Sequence, residues 1–149
     1  MDARIYWDSL RKVLADVRLL DSGWKPGKAE LDGARLVDQV RILPPKAGAP
    51  FGMIGSISAT PGRHRLIIAS LFAVDLGGRW ARTFDDWVEI GEQPRETIAC
   101  NLAEIRQSAT AWLRAELERL RPWAGLRDDR SIFSGEAGEQ FVELRRTRH

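Results

Sequence analysis

The sequence predicts an α+β domain in which an N-terminal helix and a second long helix frame a small antiparallel sheet. β-Branched and aromatic runs separated by Pro and Gly turns fill residues 51–90, a pattern typical of antiparallel strands. The segments on either side carry apolar residues at helical spacing instead. We therefore expect one sheet of three to five strands, with the long helix packed on it.

The two helices are predicted by apolar stripes and by residues typical of helix ends. The first covers residues 1–22, with Asp2 as its N-cap and Gly23 in the left-handed position after it. The second covers residues 94–121 and is stopped by Pro122. The stripes are Tyr6, Trp7, Leu10, Val13, Leu14, Val17 and Leu20, and then Ile98, Leu102, Ile105, Ala109, Trp112, Leu113, Leu117 and Leu120. Both stripes predict core faces, and a partner-binding face is the alternative for the first.

The sheet is predicted over residues 36–91. Residues 36–43 are interpreted as an edge strand, and 29–32 before them as a single helical turn. From Leu66 to Val74 both alternating sets are largely apolar, which indicates a central strand covered on both faces. Turns are predicted at residues 60–64, 75–78 and 85–86. One buried cluster is expected to contain Leu71, Phe72, Val74, Ile105, Trp112 and Leu113.

Length and composition predict a single globular domain, residues 1–149, with a loop-rich C-terminal arm over residues 122–149. Hydrophobic residues make up 44% and charged residues 30% of the chain, which disfavours disorder. The 23 basic and 21 acidic residues interleave, whereas dedicated nucleic-acid binders concentrate positive charge. The compact basic run at residues 145–148 is interpreted as a solvated tail.

Membrane and export signals are missing from the sequence. The N-terminus has no basic region followed by an apolar stretch, and no apolar run approaches the roughly 20 residues that span a bilayer. The single cysteine, Cys100, excludes an intrachain disulfide and a cysteine-based zinc site. We expect a cytoplasmic protein without a membrane partner.

Candidate catalytic groups are few. Cys100 and His64 form the only cysteine–histidine combination, and we interpret them as an inert buried thiol and an exposed turn residue. Asp85 and Asp86 fit a hairpin turn better than a general acid–base pair. The chain has no Gly-rich phosphate loop and no ligand cluster at metal spacing. We expect no enzyme activity, no cofactor and no metal.

Arginine and aromatic residues collect around the predicted hairpin turns. We predict an exposed binding surface of His64, Arg65, Arg79, Arg82 and Trp87. Tryptophan and arginine anchor many protein interfaces, and the chain has six tryptophans. The favoured hypothesis is a binding or regulatory protein that associates with another protein, with a homodimer left open. The alternative is a nucleic-acid binder that uses the Arg/Trp surface.

Scattered residues of the first 92 resemble those of a known group of proteins. They are Gly23–Pro26, Ala29–Leu31, Gly55, Pro61, Ser70, Leu71, Asp75, Trp80–Thr83, Ile90 and Gly91. With them the chain resembles an uncharacterised family of short bacterial proteins, from which it departs at Thr60 and Trp87. The family is a domain of unknown function, so the resemblance implies no activity. The sheet block also resembles the SH3-type small barrels found in many phage and plasmid proteins. Mobile-element proteins that inhibit host defence complexes are one compatible class.

Overall fold

A computed structural model describes residues 2–93, 101–123 and 140–143, and it has the predicted α+β architecture. The helices are α1 (Ala3–Asp21), α2 (Lys28–Leu31) and α3 (Leu102–Leu120), followed by a 3-10 turn at Arg121–Trp123. The strands are β1 (Arg35–Leu43), β2 (Phe51–Thr60), β3 (Arg63–Asp75), β4 (Trp80–Thr83), β5 (Trp87–Ile90) and β6 (Gln140–Glu143). No helix among these residues is long and apolar enough to cross a membrane.

Five of the strands close into a small SH3-like barrel. Consecutive strands from β1 to β5 pair antiparallel, and a parallel pairing of β1 with β5 closes the ring. β6 adds to β3 outside the ring. β1 is therefore paired on both sides, so the prediction of an edge strand at residues 36–43 is wrong. The parallel contact joins segments about fifty residues apart, and no local pattern reveals it.

β3 is the central strand, as predicted, and a bulge divides it. The register with β4 shifts between Leu71 and Ala73, which leaves Phe72 as the extra residue. Leu71 and Val74 consequently both pack inside the barrel, whereas Phe72 packs on the other side, against the helices. The bulge thus lets one strand supply two different hydrophobic layers.

The buried side chains form two main layers. The barrel interior holds Val37, Val40, Met53, Ile67, Leu71, Val74, Ala81, Val88, Ile90 and, from α3, Ile105. The helix layer holds Ala3, Tyr6, Leu10, Val13, Leu14, Val17, Phe72, Phe84, Ala109, Leu113 and Leu120, with Trp7, Trp112 and Leu117 half-buried beside them. Over the residues that the structure describes, both predicted stripes therefore face the core, but the six residues expected in one cluster are divided between two layers.

α3 begins at Leu102, later than the predicted helix of residues 94–121. Asn101 has an extended backbone, and its side-chain oxygen accepts hydrogen bonds from the N–H groups of Ala103 and Glu104, at 3.0 and 3.3 Å. This arrangement is an N-cap, which marks the start of a helix. The predicted helical residues 94–100, including Cys100, lie outside the described residues. The same holds for the C-terminal arm apart from residues 122–123 and β6.

Leu113 tests the packing of α3 on the barrel and α1. Leu113→Ala should lower the free energy of unfolding by about 2–5 kcal/mol, because the side chain is fully buried between two helices and β3. Leu19→Ala is the matched control, since Leu19 is 44% exposed on α1 and should cost less than about 0.5 kcal/mol. Urea titration measures both, and equal losses would contradict this packing.

Candidate binding site

Three of the five residues predicted to form one binding surface are exposed in the structure, and the other two, Arg82 and Trp87, are buried side by side. His64 and Arg65 are exposed at the start of β3, whereas Arg79 is exposed in the turn after its end. His64 and Asp75 are separated along the strand by roughly 36 Å at 3.3 Å per residue. Arg82 and Trp87 are buried, with 2% and 8% of their surfaces exposed. The predicted surface therefore does not exist as a single patch.

Arg82 instead forms a buried ion pair with α1. Its Nε atom donates to Asp16 Oδ2 at 3.0 Å, and one of its terminal nitrogens donates to the carbonyl of Thr83 at 2.9 Å. The guanidinium carbon also lies 5.6 Å from the centre of the Trp87 ring. Arg82 and Asp16 lie 66 residues apart in the sequence, so no local pattern indicates this pair.

The electrostatics of Arg82 follow from this burial. Desolvation lowers the pKa of the guanidinium from its ordinary value, and the charge of Asp16 and its hydrogen bond oppose that shift. Asp86 and Asp85 oppose it from a greater distance. The cation is thus neutralised within the fold, and it has no surface through which to bind a phosphate or a partner carboxylate.

Three of the tryptophans pack together between α1 and the barrel. Trp80 and Trp87 are buried with Leu20 and Ala73, and Trp24 covers them from the segment after α1. The Trp80 and Trp87 ring centres are 5.6 Å apart in an edge-on arrangement, and Trp24 lies 5.8 Å from Trp87. These three side chains therefore contribute to packing between α1, its following loop and the barrel.

A cleft lies where α2, β1 and β5 meet the β3–β4 turn. This α2–β5 cleft has a volume of about 540 Å³ and is lined by Leu31, Leu36, Asp38, Gly78, Arg79, Glu89, Ile90, Gly91 and Glu92. Leu36 is 51% exposed there, although it is a large apolar residue within a strand. Glu89 is its register partner across the parallel β1–β5 pair. An apolar side chain and a carboxylate therefore stand side by side at the cleft.

Hydrogen bonds fix the floor of the cleft. Asp38 Oδ1 accepts the N–H of Glu92 at 2.8 Å, and the Gln39 N–H donates to the Glu92 carbonyl at 2.6 Å. The Gly91 N–H donates to the Val37 carbonyl at 2.9 Å. The segment that leaves β5 is thus tied to β1, so the carboxylates are held by rigid strands and not by a free loop.

Two features distinguish the cleft from the rest of the described surface. It carries three carboxylates, Asp38, Glu89 and Glu92, against one cation, Arg79. Among the described residues, the only non-glycine residues with positive φ are Gln39 (53°) and Arg79 (58°), and both adjoin this cleft. Such backbone strain is concentrated at functional sites in proteins.

Little in the sequence indicates this cleft. Leu36 and Glu89 each lie in a predicted strand, and no local pattern places the two side by side. The one local signal is Gly91 directly after a strand, where a Cβ atom would lie 2.1 Å from Asp38 Oδ1. A glycine at such a position indicates a close approach of two chain segments.

Of the candidate catalytic residues, His64, Asp85 and Asp86 lie in the part of the chain that the structure describes. No group of three or more His, Cys, Asp or Glu side chains there is placed to hold a metal ion. Asp86 has a turn role: it pairs with Arg35 at 3.2 Å, and its carbonyl accepts the Thr83 N–H. Cys100 lies outside the described residues, so its predicted inertness stays a prediction.

Comparison with known proteins adds no relative. No family model matches the chain, and neither a curated protein nor a solved structure is significantly similar to it. The resemblance to an uncharacterised bacterial family therefore stays a prediction, and the SH3-like architecture rests on the strand pairing described above.

Gly91 tests the geometry of the cleft floor. Gly91→Ala should lower the free energy of unfolding by about 1–3 kcal/mol, because the new Cβ would overlap Asp38 Oδ1. Gly77→Ala is the control, since its Cβ would meet Asp75 at an ordinary 3.4 Å.

The double variant Gly91→Ala/Asp38→Ala tests whether the overlap with Asp38 causes the loss of stability in Gly91→Ala. Asp38→Ala removes the overlapping oxygen, so thermal unfolding should show a combined loss below the sum of the two single losses. A strictly additive loss would mean that Gly91 and Asp38 do not meet as described.

Proposed function

We propose that this chain is a non-enzymatic binding protein that associates with another protein through the α2–β5 cleft. The observation that carries the proposal is the exposed Leu36 side chain next to Glu89, inside an acidic cleft held by hydrogen-bonded strands. Leu31 lies in the same lining as Leu36, and an apolar patch rimmed by charged side chains marks many interaction sites.

The chemistry of the cleft selects its partner. The three carboxylates outnumber the one arginine, so the cleft favours a cationic group. A lysine or arginine side chain has an aliphatic stem and a charged end. The stem can cover Leu36, and the charged end can reach Glu89 or Glu92. We therefore infer that the partner presents an exposed segment in which a lysine or arginine adjoins an apolar residue.

The biological class follows from the same reasoning. A small domain that binds a protein segment without chemistry of its own can regulate a larger complex by occupying one of its surfaces. An inhibitor of a host defence complex, carried by a mobile element and acting in the cytoplasm, is one such regulator.

Nucleic-acid binding is the second candidate function, and one observation favours it. Arg63, His64 and Arg65 are consecutive, basic and exposed at the start of β3. Three phosphate contacts would give affinity for duplex DNA a salt dependence with a log–log slope of about −3. The cleft proposal predicts no DNA binding, and the variant Arg63→Ala/His64→Ala/Arg65→Ala should leave peptide binding unchanged.

A peptide-display selection against the folded protein tests the proposal. Enriched peptides should contain a lysine or arginine beside an apolar residue, and Glu89→Lys should weaken their binding at least about tenfold by replacing attraction with repulsion. Leu36→Ser should also weaken binding, because it removes the apolar contact. Fluorescence anisotropy with the enriched peptides measures both effects.

The controls are matched in chemistry and position. Glu118→Lys makes the same change at an exposed site on α3, and Leu43→Ser makes the same change at the far end of β1, where Leu43 is 39% exposed. Both should retain wild-type affinity within about twofold, as surface changes away from a site do. Acidic enriched peptides, or equal losses in the control variants, would contradict the proposal.

A further inference from the structure

The outer face of α1 carries a regular array of cations. Arg4, Arg11 and Arg18 recur every seven residues, and all three are exposed. Seven residues are close to two helical turns, so the three arginines form a line about 21 Å long on one side of the helix. Lys12 is exposed beside this line.

The acidic residues of α1 are mostly engaged elsewhere. Asp2 caps the helix by accepting the Arg4 N–H at 2.8 Å, Asp16 pairs with buried Arg82, and Asp21 pairs with Arg106 of α3 at 3.4 Å. Asp8 is the one acidic residue left on the outer face of α1. The fold therefore leaves this helix with a basic outer face, although the sequence of the helix has mixed charge.

The same face exposes apolar side chains. Ile5 and Leu19 are 58% and 44% exposed, and they are two of the four exposed large apolar residues in the described parts of the chain. They lie fourteen residues apart on one row of the helix, with Lys12 midway between them. Ala15 is exposed beside this row and leaves room for a neighbouring backbone.

We propose that the outer face of α1 binds an acidic amphipathic helix of a partner protein. The row of Ile5, Lys12 and Leu19 matches the spacing of a coiled-coil seam, and the arginine row lies where flanking positions pair with the partner. Glutamate or aspartate at the facing positions would complement the three arginines. A second copy of this face would set arginine against arginine, so the complement differs from this chain.

This proposal is independent of the α2–β5 cleft. The cleft is acidic and favours a cationic partner segment, whereas the α1 face is basic and favours an acidic one. A duplex nucleic acid would also attract the arginines, but it does not account for the exposed Ile5 and Leu19. An anionic membrane accounts for cations beside apolar side chains, but not for their seven-residue repeat. These two ligands therefore become competing outcomes of the test.

The test uses the full chain and a synthetic helix with leucine at the two seam positions and glutamate at the flanking positions of each heptad. A peptide with glutamine in place of glutamate is the charge control, because a lysine peptide would also suit the acidic α2–β5 cleft. Fluorescence anisotropy should show micromolar binding of the acidic peptide and at least about tenfold weaker binding of the neutral one. Duplex DNA and vesicles of anionic phospholipid, measured at the same ionic strength, should bind more weakly than the acidic peptide.

Variants identify the face. Arg11→Glu/Arg18→Glu should weaken peptide binding about tenfold, since each exposed charge pair contributes a factor of roughly two to five and reversal adds repulsion. Leu19→Ser should weaken it about threefold by loss of apolar contact. Arg114→Glu changes an exposed arginine on α3 and should leave binding unchanged. Circular dichroism melts should match the wild type, because every changed side chain is exposed.

Three results would overturn the proposal. The first is failure of the acidic peptide to bind at its highest soluble concentration. The second is tighter binding of DNA or vesicles than of the peptide. The third is an equal loss of peptide binding in Arg114→Glu, which would show that net charge and not the α1 face attracts the peptide.

Discussion

The buried ion pair between Asp16 and Arg82 is the constraint on which the arrangement of helix and barrel depends. Arg82 comes from β4, a strand whose four residues are all buried, and its charge must be balanced inside the fold. Asp16 supplies that balance from α1, and the Thr83 carbonyl accepts a further hydrogen bond. Among the described residues, no buried side-chain polar atom lacks a hydrogen-bond partner. The pair thus fixes both the position of α1 along the barrel and its rotation about its own axis.

The rotation of α1 about its axis decides which of its side chains are exposed on the surface. With Asp16 facing Arg82, the apolar stripe that includes Tyr6 and Val13 packs into the helix layer. The arginines at seven-residue spacing then point to the outside. The same pair removes Arg82 from the surface. One buried interaction therefore creates a basic helix face and prevents the basic sheet surface that the composition suggests.

The sequence predicted the parts of the fold that depend on local patterns. Apolar stripes located α1 and α3, and turn residues separated the strands at the correct places. Local patterns did not predict features that depend on contacts between segments. These features are the parallel β1–β5 pair, the bulge at Phe72 and the pairing of Arg82 with Asp16. The predicted binding surface is wrong for the same reason: residue type alone does not show that Arg82 and Trp87 are buried.

The net charge of the chain does not show how charge is distributed on its surface. The value of +2 is a sum over an acidic cleft on β1 and β5, a basic face on α1 and the rest of the chain. The segments that line the cleft come together only when the barrel closes. Residues such as Leu36 and Glu89 are therefore neighbours only in the folded protein. Under the two proposals, the cleft and the α1 face can hold two different partner segments at once.

A double-mutant cycle on Asp16 and Arg82 is the most direct test of the central constraint. Asp16→Leu and Arg82→Met should each lower the free energy of unfolding by about 3–5 kcal/mol, because each leaves a buried charge without its partner. The double variant restores an uncharged contact of similar volume, so its loss should fall below the sum by about 1–3 kcal/mol. A sum that holds within about 0.5 kcal/mol would contradict the account, because it would mean that the two residues do not interact.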